Sequence, residues 1–288
     1  MKKLILMNII VVTGTLLTPL TGNCQKVLGK NQVSKIISKQ RQKLAINTRN
    51  HEYGPQSPRD ISSIAGKNKH YFSMAPASTK MNLCNIHFHK NAEHKGGEYT
   101  TFVGSGDGHG YLGGYKYNGD IPASELSDLS HEICPGSHGA LHPGDTIEVH
   151  YVYSTAPVSP GPTLKSCLSN KNLNPQLRVE SQVFVVVNND KALAFEMLTK
   201  HGVRNGLYQA LNIPSNTGRP VQYAGSTTGP TYNEKASPYQ VTWNVRPKIL
   251  KVNIESVGNW CKGNVFHEDH AHGVRNLVLN PDLLSQIH

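Results

Sequence analysis

Beyond residue 54 the apolar positions fall into short, dense blocks. NLCNIHFHK (82–90), DTIEVHYVYS (145–154), QVFVVVNN (182–189) and QVTWNVRPKILKVNI (240–254) are rich in Val, Ile, Tyr and Phe and lie near Gly, Pro, Asn or Asp. That pattern predicts strands. Long glycine-rich connections, GSGDGHGYLGGYKYNGD and YAGSTTGPTYN, lie between them. Helical spacing is confined to ASELSDLSHEI (123–133), KALAFEMLTKHG (191–202) and NGLYQALNI (205–213). The expected fold is therefore mostly β, an α+β chain with few short helices. No internal repeat or low-complexity linker divides residues 54–288, so they are read as a single domain. A chain of 288 residues, 37% of them hydrophobic, has enough apolar material for one sizeable core.

The first 53 residues read differently. Lys2 and Lys3 precede the apolar run LILMNIIVVTGTLLTPL and a polar TGNCQ, the order of a secretory signal peptide over residues 1–23. The expectation is an exported protein, periplasmic or secreted, with a lipid anchor on Cys24 as a minor alternative. No later segment has the roughly 20 apolar residues that a membrane span needs. Residues 24–53 form a basic N-terminal arm: positions 26–50 hold seven Lys or Arg and no acid, with Val33, Ile36, Ile37 and Leu44 spaced like one face of a helix. Such an arm can touch a membrane surface, although a solvated segment ahead of the domain is the simpler reading.

Formal charge is +10, and +8 remains once Lys2 and Lys3 are removed. An exported chain meets little nucleic acid, so that partner class is set aside. Beyond Cys24 the cysteines are Cys84, Cys134, Cys167 and Cys261. Export permits disulfides, but four cysteines allow three pairings and the sequence does not choose. No CxxC pair exists, which argues against cysteine-held zinc.

Candidate chemistry gathers in two of the predicted strands. Side chains alternate along a strand, so His87 and His89 share one face while Ile86 and Phe88 share the other. His150 sits in the apolar run IEVHYV, with Glu148 two residues earlier on its own face. A carboxylate that accepts a ligating imidazole's second ring proton fixes its tautomer, and Asn85 stands in the same relation to His87. Three imidazoles without a fourth protein ligand leave one tetrahedral corner for water, the mark of a catalytic zinc rather than a structural one.

The pieces CNIHFHKNAEHKGGEY, PGDTIEVHYVYS, NPQLRVESQVFVVVN and YAGSTTGPTYNEKASPYQVTWNVRP resemble the delta-class carbonic anhydrases over nearly all of residues 54–288. QSPRDI, IHFH, IEVHYV and YAGSTTGP followed by VTW also resemble alpha-class motifs, in the same order along the chain. The resemblance implies an alpha-carbonic-anhydrase-like domain built on a large central, mainly antiparallel sheet. It implies zinc on His87, His89 and His150, with Asn85 and Glu148 as acceptors behind them. Thr227 would accept the hydroxide's proton as a hydrogen bond and pass its own proton to a buried glutamate. Both Glu93 and Glu98 follow the histidine pair, and Glu98 is preferred on its offset. Thr228 and Val152 would line the carbon dioxide pocket, with Trp243 behind it. The implied activity is reversible hydration of carbon dioxide to bicarbonate and a proton, by attack of zinc hydroxide.

Departures and rivals complete the reading. The stretch between QSPRDI and the histidine pair is shorter than in the alpha class, which leaves the proton shuttle open among His70, His94, His109, His138 and His142. A second cluster, His267, His270 and His272 beside Glu268 and Asp269, is read as a surface loop or hydrogen-bond network. One rival is a cupin-like metal enzyme using His87, His89, Glu93 and His150. The other is a non-catalytic zinc-binding exported protein, against which Thr227 argues, since a binder needs no hydroxide-orienting threonine.

Overall fold

The structure, a computed structural model, describes residues 30–288. The expected signal peptide and Cys24 lie outside the described residues. Helix α1 (Lys30–Thr48) comes first, followed by strands β1 (Asn82–Lys90), β2 (Thr101–Ser105), β3 (Gly113–Lys116), β4 (Thr146–Ser154) and β5 (Leu177–Val187). After these come α2 (Phe195–Leu198), β6 (His201–Arg204), β7 (Leu207–Ala210), β8 (Val221–Ser226), β9 (Gln240–Asn253) and α3 (Ile254–Cys261). The main sheet has five strands in the order β1-β4-β5-β9-β8, and β2-β3 and β6-β7 form separate hairpins. Three of its four pairings are antiparallel, and β5-β9 is parallel.

Register is fixed by the two faces. Ile86 lies opposite Tyr151 and Phe88 opposite Val149, while His87 lies opposite His150 and His89 opposite Glu148. The first set enters an apolar core with Phe195 and Leu198 of α2 and Ile254, Val257 and Trp260 of α3. A slip of one residue would carry the histidines into that core, so burial of the apolar face dictates where the imidazoles stand. A second apolar cluster, including Val152, Val179, Val241 and Trp243, lies on the histidine face. Pro247 is accommodated where the β5-β9 register shifts, between the pairs Ser181–Val245 and Val183–Ile249, a place where a missing N–H interrupts no ladder.

The four predicted strands form, but the predicted helices largely do not. ASELSDLSHEI yields only one 3-10 turn, Ala123–Glu125, and KALAFEMLTKHG yields the single turn of α2. NGLYQALNI is strand: Asn205 and Gly206 both take positive φ and close the β6-β7 hairpin. Asn-Gly is the strongest short hairpin signal, and here it outweighs helical spacing. VQYAGS, the start of what reads as a connection in the sequence, adds β8 to the sheet edge. On α1, Ile37 and Leu44 are buried against the body, Lys43 pairs with Glu234, and Gln40 is bonded to Asn276. Disulfides join Cys84 to Cys167 and Cys134 to Cys261. Among the described residues no helix is long and apolar enough to cross a membrane.

Candidate metal centre

His87, His89 and His150 each bring one ring nitrogen to a common point, with all three atoms within 4.8 Å of one another. Their second nitrogens are held from behind. His87 Nδ1 lies 2.7 Å from Asn85 Oδ1, and the Asn85 amide nitrogen donates to Gly161 O, which fixes the oxygen toward the imidazole. His89 Nδ1 lies 2.8 Å from Gly273 O, and His150 Nε2 lies 3.0 Å from Glu148 Oε1. All three of these partners accept, so each imidazole carries its proton on the outer nitrogen. The inner atoms, Nε2 of His87 and His89 and Nδ1 of His150, are left with lone pairs.

Converging lone pairs repel unless a cation lies between them. His87 Nε2 and His150 Nδ1 are only 3.2 Å apart, and His89 Nε2 is buried without any hydrogen-bond partner. The trio therefore fits a metal ion, and neutral imidazoles alone suit zinc. Burial pushes the His89 imidazole down to about 3 and also lowers His87 and His150, with neighbouring imidazoles adding to the effect. The rings thus stay unprotonated, as ligation requires. Burial would raise Glu148, but His94 and His150 outweigh it and hold the carboxyl well below the usual range. Ser181 Oγ and the backbone N–H groups of Glu93 and His94 also donate to it.

The trio opens into a cavity of about 290 Å³ lined in part by Val152, Thr227, Thr228 and Trp243. The Trp243 ring centre stands 4.9 Å from that of His150. Gln56 and Ser57, from QSPRDI, brace the threonine loop from below. Ser237 N donates to Gln56 Oε1 at 2.7 Å, and Ser226 N donates to Ser57 Oγ at 3.1 Å. Thr227 Oγ1 is 2.6 Å from Ser237 Oγ, so its partner here is a hydroxyl rather than a carboxylate.

Glu98 is a correction. Its carboxylate accepts from Ile249 N at 2.8 Å, because β9 draws it toward the Pro247 irregularity and away from the cavity. Glu93 is the buried carboxylate beside the centre. It is 1% exposed, with oxygens 3.7 Å from His89 Nδ1 and 3.9 Å from His150 Nε2. Burial raises its pKa, while His150 opposes that shift and the nearby Thr228 hydroxyl also favours the anion. Glu93 approaches the outer edges of the two rings, not the point where the inner nitrogens meet. The four-ligand set of the cupin-like reading is therefore not assembled.

The remaining histidines separate clearly. His94 is fully buried, with Nδ1 2.7 Å from Glu148 and Nε2 2.6 Å from the Tyr223 hydroxyl, so it has no route to solvent. His70, His109 and His142 are exposed, and none of them lines the cavity. His138 stacks on Tyr111, a residue that does line it. His272, read from the sequence only as part of a loop cluster, sits at the cavity. Its backbone bonds to the open edge of β1, and its ring centre is 5.2 Å from that of His87. Glu268 Oε2 lies 2.5 Å from His272 Nε2; burial alone would lower this imidazole, but the carboxylate raises it. No sequence signal marked that pairing, because the contact depends on the loop returning to β1.

A sequence profile described as "Delta carbonic anhydrase" matches residues 78–256. No curated protein matches the chain. Among solved structures, a hyperthermostable carbonic anhydrase from an active hydrothermal vent chimney is 14% identical. It aligns over 81% of this chain and 86% of its own, with a TM-score of 0.28. The alpha-carbonic anhydrase of Thermovibrio ammonificans in complex with sulfanilamide is 19% identical, over 77% of this chain and 84% of its own, with a TM-score of 0.27. That of Photobacterium profundum is 15% identical, over 77% and 86%, with a TM-score of 0.26. At those scores the structural likeness carries no argument of its own, and the family rests on the sequence match.

Proposed function

The chain belongs to the delta carbonic anhydrase family, and from that premise we propose that it is an exported zinc enzyme. It would interconvert carbon dioxide with bicarbonate and a proton, with His87, His89 and His150 as the metal ligands. The observation that carries this reading is the set of three inward lone pairs, each fixed by an acceptor behind its ring. When bound, zinc supplies hydroxide at neutral pH for attack on carbon dioxide, a role for which carbonic anhydrases are themselves the general example.

The chain's own residues supply the rest. Asn85, Gly273 O and Glu148 hold the imidazoles in one tautomer and orientation, so the ligands are pre-organised before metal arrives. Val152 and Trp243 give the cavity an apolar wall suited to a neutral gas molecule. Thr227 lines the same cavity, and its hydroxyl is restrained by Ser237; we assign it the task of orienting the nucleophile. Glu93 replaces Glu98 as the carboxylate that supports the threonine loop. Export is supported by the leader-like residues 1–23 and by the two disulfides, which persist in oxidising compartments.

The test is stopped-flow carbon dioxide hydration on purified protein, before and after chelation, with elemental analysis of the metal. One zinc per chain, activity lost on chelation and activity restored by zinc are expected. Activity that survives complete removal of the metal would refute the proposal.

A further inference from the structure

One wall of the metal-centre cavity comes from outside the sheet: Thr163 and Leu164, on the connection between β4 and β5. Residues 162–165 are exposed there, whereas Gly161 and Cys167 on either side of them are buried. Both ends are tied to the same two residues of β1. Cys167 is joined to Cys84 by a disulfide, Gly161 N donates to Cys84 O at 3.0 Å, and Gly161 O accepts from Asn85 Nδ2 at 3.1 Å. Asn85 is the residue that holds His87.

Strand alternation alone would not put Cys84 and Asn85 on one side. Leu83 pairs with Tyr153 and Asn85 with Val152, so Cys84 is an extra residue in β1, a bulge. In consequence Leu83 joins Ile86 and Phe88 in the core under α2 and α3, while Cys84 joins Val152, Val179 and Trp243 on the histidine face. An asparagine amide has an oxygen and a nitrogen of nearly equal shape, and only the oxygen accepts from an imidazole N–H. What fixes the Asn85 amide the right way round is the acceptor on its other side, Gly161 O. The loop that carries this carbonyl is strained: Thr163 has φ 58° and ψ 169°, a backbone region that β-branched residues avoid. Such a conformation persists only where the surroundings enforce it. The buried bridge at Cys167, whose carbonyl also accepts from Ser154 Oγ at 2.6 Å, supplies that restraint.

We propose that the Cys84–Cys167 bridge and Pro162 are positioning residues of the metal centre: they fix Gly161, Gly161 fixes the Asn85 amide, and the amide fixes His87 for the metal. Pro162 belongs to this set because a residue before proline is biased to extended backbone, which limits where the Gly161 carbonyl can point. The inference rests on the zinc reading above. The other bridge, Cys134–Cys261, lies in the core on the opposite face of the sheet, and neither of its cysteines lines the cavity. It is the natural control.

The experiment is zinc affinity of the full chain, read by competition with a chelating dye on protein whose circular dichroism is native. Cys84→Ala with Cys167→Ala is expected to weaken zinc by about tenfold, the lower end of the loss from removing a supporting acceptor. Cys134→Ala with Cys261→Ala is expected to lower the melting temperature and leave zinc affinity unchanged. In an Asn85→Ala background, removing the first bridge should cost no further affinity, because groups that act through one partner are not additive. Pro162 is exposed, so Pro162→Ala folds with the bridge intact, and it decides the matter where a bridgeless chain does not fold; a smaller loss of zinc affinity at a near-native melting temperature is expected. Equal zinc affinity with and without the first bridge, equal losses from the two bridges, full additivity with Asn85→Ala, or native affinity in Pro162→Ala would each overturn the proposal. A wild-type chain that binds no zinc would overturn the zinc reading itself, and this inference with it.

Discussion

Two histidine-rich regions of this chain share a composition and differ in what they build. Positions 87–89 and 150 lie on paired strands whose apolar faces are locked into the core, so the imidazoles point one way with a fixed acceptor behind each. Positions 267–272 lie on a loop, where His267 and His270 are exposed, His270 is bonded to its neighbour Asp269, and of the three histidines His272 alone lines the cavity, beside Glu268. The difference shows that histidine density is a weak sign of a metal site. What matters is whether the backbone fixes the rings and whether the outer nitrogens meet acceptors, which leaves the inner ones nothing to bind but a cation.

The contrast is sharpest for removal of a ligand. His150→Ala is expected to abolish zinc retention and hydration together, whereas His267→Ala and His270→Ala keep one zinc per chain and near-native rates. Metal analysis and stopped-flow kinetics on the three variants decide this, and a zinc-replete, active His150→Ala would break the distinction. Next in size are changes that spare the ligands. Thr227→Ala should keep zinc yet lower kcat by about 10²-fold, the scale of losing one preorganised hydrogen bond in an active site. Glu93→Gln should slow turnover measurably while Glu98→Gln does not, and the reverse order would reinstate Glu98.

Smaller again is the loss of a supporting acceptor. Asn85→Ala removes the group behind His87 and should weaken zinc by roughly 10–100-fold, read by competition with a chelating dye. A loop-bound acceptor such as Asp269 should show no such effect when changed to Asn. The smallest effect concerns pH and the metal-free chain. His89 has a folded pKa of about 3 against an ordinary 6.5, so the unfolded chain binds more protons between those values. Stability is therefore full above about pH 6.5 and declines as pH falls toward 3. Chemical denaturation of chelated protein at several pH values should show that slope, and zinc should flatten it until the metal dissociates. An apo-protein stability that rises as pH drops from 6.5 would contradict the buried neutral imidazoles.

Much of this was legible in the sequence, for physical reasons. Alternation along NLCNIHFHK and DTIEVHYVYS places three imidazoles, Asn85 and Glu148 on one face, because strand periodicity needs no long-range information. The predicted helices failed where a local signal competed, as Asn205-Gly206 did in turning NGLYQALNI into a hairpin strand. The choice between Glu93 and Glu98 was not legible, since it depends on how the segment after β1 folds back: Lys95 O bonds to Ile61 N, and Glu98 bonds to β9. His272 and Gly273 were equally hidden, because they reach the site only when the C-terminal loop pairs with the free edge of β1. Disulfide pairing needed the fold as well, as Cys84 and Cys167 are 83 residues apart.

X-ray absorption at the zinc edge, on the full chain loaded with one equivalent of zinc, tests the central claim most directly. Three imidazole nitrogens and a single non-protein oxygen are predicted. A shell that requires a fourth imidazole, such as His272, or a carboxylate from Glu93 would contradict it.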